Sequence, residues 1–135
     1  MALISWTDDL SVNVKEIDDQ HKKIVDMMND LNDAMSQGKG KDVIGKIISG
    51  LADYATEHFA LEERYFDKFQ YPGTLLHKRS HQAFVEKVSE FYNDYQSGNV
   101  RLSVDVRIFL KDWLINHIQI EDKKYTRCFN KNGIY

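Results

Sequence analysis

The chain has 135 residues, 42% hydrophobic and 29% charged, the composition of one folded domain with a sizeable core. Its net charge is −3, so there is no basic excess to neutralise phosphates, and neither nucleic acid nor an anionic membrane is an expected partner. The single cysteine, Cys128, excludes an intramolecular disulfide, no apolar run is long enough to insert into a bilayer, and the start "MALISWTDDLSV" lacks a secretory pattern, so a cytoplasmic chain is expected.

One proline and seven glycines leave little material for the turns of an all-β fold, and helices are expected instead. Residues 1–17 alternate weakly and carry β-branched side chains, which predicts an extended arm with Trp6 as its anchor. Asp18 suits the N-cap of a first helix over about 18–37, ended by Gly38 and Gly40. Its inward stripe reads His21, Ile24, Met28, Leu31.

A second helix is predicted over about 41–68, with Ile44, Ile47, Leu51, Tyr54, His58 and Leu61 inward. "QYPGT" breaks the pattern, and Pro72 suits the first turn of a third helix over about 73–97. Phe84, Val88, Phe91 and Tyr95 face inward there, and Gly98 stops the helix. Ser103 is the expected cap of a fourth helix over about 103–127, with Val106, Phe109, Leu110, Trp113 and His117 inward. The fold class is therefore all-α: an up-down-up-down antiparallel four-helix bundle with an extended N-terminal arm, in a single domain over 1–135.

All five histidines, His21, His58, His77, His81 and His117, fall on these inward stripes. A lone inward histidine is usually a hydrogen-bonded core residue. Burying five separately needs five sets of partners, whereas a shared metal supplies one partner to all. At 1.5 Å rise per residue, an antiparallel bundle brings the five within roughly 10 Å in height. Carboxylates accompany them. "HFALE" puts Glu62 one turn after His58, and "HIQIED" offers Glu121 and Asp122 beyond His117. Helix periodicity favours Glu121, at i+4, because Asp122 is rotated about 100° further.

The pattern His21, "HFALE", "HKRSH", "HIQIED" resembles the hemerythrin family, in particular its bacterial members, whose signature is His, HxxxE, HxxxH and HxxxxD on successive helices. The resemblance covers about Trp6 to Tyr125 and implies two iron ions joined by an oxo or hydroxo bridge. It implies that His77, His81 and His117 bind one iron and His21 and His58 the other. Glu62 and Asp122 would bridge them. Asp122 then displaces Glu121, which calls for either a π-type widening of the last helix or a long reach by Asp122. Glu121 becomes a solvated or supporting group.

Imidazole and carboxylate ligands suit iron, and also zinc, copper or manganese. Counted over two six-coordinate metals, five imidazoles, two bridging carboxylates and one bridging oxygen leave one open position, on the metal with two histidines. Dioxygen, or a small anion, is the expected ligand there. Oxygen-activating di-iron bundles use more carboxylates and fewer histidines, which favours reversible binding over substrate oxidation. Phe59, Phe84, Trp113, Leu114 and Ile118 are expected to line a dry ligand pocket, with Tyr125 near it and Cys128 an inert thiol.

The expected function is thus oxygen transport, storage or delivery by a monomer or weak oligomer. The alternatives are an oxygen or redox sensor domain of a signalling protein, or a di-iron oxidase, peroxidase or nitric oxide reductase. A self-contained chain without a linker favours the carrier, and GxSxG, P-loop, HExxH and Cys–His nucleophile motifs are all missing. An enzyme is not expected, and an iron store is disfavoured because seven ligands hold only two metals.

Overall fold

Four apolar stripes at helical spacing give four long helices packed as a bundle, in a computed structural model that describes residues 5–98 and 101–135. They are α1 (Lys15–Ser36), α2 (Gly40–Phe69), α3 (Thr74–Ser97) and α4 (Leu102–Asp112). Beyond α4 the chain continues as a π-helical segment (Trp113–Glu121), a 3-10 turn (Asp122–Tyr125) and a short α5 (Thr126–Lys131). There is no strand among the described residues. Short loops force successive helices antiparallel. α1 packs on α2, α2 on α3, and α4 closes the square against α1 and α3.

The stops are chemical. Gly38 and Gly98 take left-handed backbone angles, φ 71° and 77°, where glycine meets no Cβ penalty. Gln70 ends α2 in the same region, φ 52°, with its N–H donating to the Phe66 carbonyl. Gly40 does not end α1 but is the first residue of α2.

Several expected caps fall elsewhere. α1 begins at Lys15, three residues before Asp18, because the Val14 carbonyl already accepts from the Asp18 N–H at 2.9 Å. The Asp18 carboxylate therefore reaches back to the arm, accepting from the Val12 N–H at 2.8 Å and from the Ser11 hydroxyl at 2.6 Å. Pro72 sits in the turn ahead of α3, and Ser103 is already inside α4, which makes no side-chain cap bond. Tyr95 is 45% exposed, with its ring over Gly45, where a Cβ would come within 2.8 Å of it. Its bulk lies on the α2–α3 rim, outside the core.

The arm ends at Val14 and includes a 3-10 turn, Asp8–Leu10; its first four residues lie outside the described ones. Leu10, Val12 and Val14 are buried and fix it, whereas Trp6 is half-buried under the Lys22 ammonium. The core consists of two apolar clusters. One holds Ile24, Met28, Tyr54, Phe59, Phe84, Trp113, Leu114 and Ile118. The other holds Val12, Val14, Ile17, Leu61, Phe66, Tyr125 and Phe129. α1 passes from one cluster to the other at His21, and α2 does so between His58 and Glu62.

Candidate metal centre

Between the clusters lies a buried polar layer: His21, His58, Glu62, His77, His81, His117 and Asp122, none more than 4% exposed. α1 brings His21 between Ile17 and Ile24 on its buried face. α2 brings His58 and Glu62, and α3 brings His77 and His81, each pair one turn apart. The fourth element needs a special device, because His117 and Asp122 are five apart. The π-helical segment supplies it: the Asp122 N–H donates to the His117 carbonyl, five residues back. Wide turns of this kind often mark functional sites. Of the two routes open to Asp122, the widened helix is the one taken.

All five imidazoles point Nε2 inward, toward the two carboxylates. His21 Nε2 and His58 Nε2 are 3.0 Å apart, with Asp122 Oδ2 3.1 Å from the first and Glu62 Oε1 3.2 Å from the second. On the other side His81 Nε2 is 3.0 Å from Glu62 Oε1, and His117 Nε2 is 3.0 Å from Asp122 Oδ1. His77 Nε2 approaches Asp122 Oδ1 to 2.7 Å. The donors form two sets, each with all atoms within 4.8 Å: Glu62, His77, His81, His117, and His21, His58, Glu62, Asp122.

Despite these short approaches, both oxygens of Glu62 and of Asp122, and Nε2 of His77, His81 and His117, have no hydrogen-bond partner. Buried polar atoms are rarely left this way. Their lone pairs converge on shared points rather than on each other. Neighbouring ligand atoms on an octahedral metal with bonds of about 2.1 Å are about 3.0 Å apart, and the observed spacings match. The donor set therefore fits a pair of metal ions.

Outward, the Nδ1 atoms meet different partners. His81 Nδ1 lies 2.9 Å from Glu63 Oε2 and His117 Nδ1 2.9 Å from Glu121 Oε2, which also accepts from Ser80. His58 Nδ1 lies 2.5 Å from the amide oxygen of Gln20, and His21 Nδ1, fully buried, has no partner. Glu121 is thus a partner of His117, as its i+4 spacing allows. Gln20 and Glu63 escape a reading of periodicity, since each reaches a histidine on another helix.

Burial favours neutral carboxyls, yet His117 and the neighbouring imidazoles hold Asp122 well below the usual carboxylate range. Glu62 is also lowered, against burial and the charge of Asp122, by His58 and His81. At His117 burial opposes protonation, but Asp122, Glu121 and Glu62 outweigh it and raise the pKa to about 10. His58 is lowered by burial.

Apolar side chains enclose the layer. Phe59 stacks on His81 and Trp113 on His117, each at 3.8 Å between ring centres. Phe84 packs against both, and Leu114 and Ile118 are fully buried. These rings thus cover the three-histidine set. The ring stacked on His58, at 4.8 Å, is Tyr54, which the sequence places only in a helix core. Tyr125 is fully buried beneath His77, its ring stacked on Phe129. His77 also borders a cleft of about 420 Å³ with Tyr71, Arg79 and Lys124.

Residues 12–128 match the hemerythrin HHE cation binding domain family. The chain is 37% identical to a bacteriohemerythrin of Methylococcus capsulatus, over 96% of this chain and 99% of that relative. It is 39% identical to one of Pseudomonas aeruginosa, over 93% of this chain and 81% of that relative. Among solved structures, a wild-type hemerythrin superposes with a TM-score of 0.83 at 37% identity, covering 94% of this chain and 98% of that one.

Proposed function

The chain belongs to the hemerythrin family, and from that membership we propose that it binds dioxygen reversibly at a non-haem di-iron centre, for oxygen transport, storage or delivery. The observation that carries this reading is the buried layer of converging, unpartnered Nε2 and carboxylate atoms. In this reading His77, His81 and His117 would hold one iron and His21 and His58 the other, with Glu62 and Asp122 shared between them. This assignment follows the two donor sets, which share Glu62. The approach of His77 Nε2 to Asp122 Oδ1, at 2.7 Å, supports Asp122 as the second shared carboxylate.

When bound, the iron pair supplies the electrons that dioxygen takes up and gives back. The chain does the rest. Its ligand count leaves one position for a small ligand, on the side of His21 and His58. Phe59, Phe84, Trp113, Leu114 and Ile118 keep water and competing anions from the layer. The predominance of neutral imidazole over carboxylate favours release of oxygen unchanged, so the reading is of a binding protein rather than an enzyme. No helix of the described residues is long and apolar enough to cross a membrane.

Anaerobic iron loading followed by oxygen titration tests the proposal. Two irons per chain, and one oxygen per pair released intact under vacuum, are expected. Rapid decay with peroxide formed or a substrate oxidised would overturn carriage in favour of an oxidase or peroxidase.

A further inference from the structure

The five imidazoles do not receive equal support from behind. In the three-histidine set, His81 and His117 each face a carboxylate at 2.9 Å, Glu63 and Glu121. In the two-histidine set, His58 faces a neutral amide, Gln20 Oε1 at 2.5 Å, and buried His21 Nδ1 has no hydrogen-bond partner. With Nε2 turned to the metal, Nδ1 must carry the proton and donate it outward, so the amide oxygen is the right end of Gln20 for this contact. A carboxylate acceptor draws that proton and makes the imidazole a stronger donor to its metal, whereas an amide does so weakly.

We propose that Gln20 is a positioning residue that fixes the His58 ring and tautomer while leaving it a weak donor. The metal held by His21 and His58 is thereby kept less electron-rich than its neighbour. This rests on the di-iron reading above and extends it. The metal with the open position would be the one that meets oxygen, and each metal of the pair would give one electron and take it back. A weakly supported His58 favours recovery. The same contact orients His58 from α1, so Gln20 ties the two histidines of this set, on α1 and α2, into one unit. Gln20 is half-buried on the helix turn that carries His21, so a glutamate in its place fits the same space.

The test compares Gln20→Glu and Gln20→Ala with the unaltered protein, each loaded anaerobically with iron. The readouts are iron content under chelator competition and the midpoint potential of the iron pair by spectroelectrochemistry. Gln20→Glu should keep two irons and favour the ferric state about tenfold at a given potential, a shift of about 59 mV to lower potential for one electron. Gln20→Ala should bind its weaker iron about 10- to 100-fold less tightly, with no such shift in the remaining iron. Should Gln20→Ala fail to fold, Gln20→Glu carries the test alone. An unaltered protein that takes up fewer than two irons overturns the di-iron reading and this inference together. Two irons in the unaltered protein with an unmoved potential in Gln20→Glu overturns the inference alone.

Discussion

The backbone N–H of Asp122 bonds to the carbonyl of His117, and the Asp122 carboxylate lies 3.0 Å from the Nε2 of the same histidine. One widened turn thus sets both the main chain and the side chains of this pair. Glu121, one residue earlier, is turned to the other face of the imidazole, at Nδ1. Neighbours in sequence therefore take opposite parts. Asp122→Ala should lose stoichiometric iron binding, while Glu121→Ala should keep two irons with roughly 10- to 100-fold weaker affinity. Iron content after dialysis against a graded chelator series measures both. Equal losses in the two variants would remove the distinction.

Glu62 is fully buried, carries two oxygens without hydrogen-bond partners and shares its surroundings with the charge of Asp122. It is the carboxylate common to both donor sets. Glu62→Leu should abolish binding of a second iron. Iron analysis after loading checks this, and a variant that still takes up two irons would contradict a shared role.

His117 gives a pH signature. Its pKa in the folded, metal-free chain is about 10, above the ordinary 6.5, so its contribution to stability is fully present below pH 6.5 and is lost as pH rises toward 10. Asp122 and Glu62, held below their ordinary values, contribute above the usual carboxylate range and lose that contribution as pH falls. Metal-free protein should therefore be most stable at mildly acidic pH. Metal requires a deprotonated imidazole, so the extra stability of the loaded form should grow from pH 6.5 to 10. Melts of both forms across that window test this. A metal-free midpoint that stays flat or climbs would refute it.

Asp18 holds the arm to the bundle by accepting from Ser11 and Val12. Removing a charged acceptor from two such bonds costs about 2 kcal/mol. Asp18→Ala should lose that much in urea unfolding and keep its iron, since no ligand touches it. Loss of iron in this variant would mean that the arm shapes the site.

Much of the bundle was legible because burial repeats every three or four residues. His21, His58, His77, His81 and His117 each fell on a stripe, so their shared layer followed from helix geometry alone. The choice of Asp122 over Glu121 did not. Regular periodicity favours the glutamate, and only the resemblance to known proteins points to Asp122, leaving a widened helix and a long reach both open. The caps at Asp18 and Ser103 failed because short polar residues inside a first turn look the same as those just outside it. Gln20 and Glu63 were invisible for another reason. Their contacts cross between helices, and the rotation of one helix against the next is set by packing that a linear pattern does not carry.

The polar layer divides the apolar interior in two, with Val12 and Val14 of the arm, α5 and the end of α2 on one side and most of the four-helix packing, together with Leu10, on the other. Water released from apolar surface drives each half to assemble, but across the layer without metal there are mainly charges and polar atoms without hydrogen-bond partners. Iron would then join two separately cooperative blocks of one molecule. Amide exchange in the block built on Val12, Phe66, Tyr125 and Phe129 would run ahead of the larger block until metal is added, and keep pace with it afterwards.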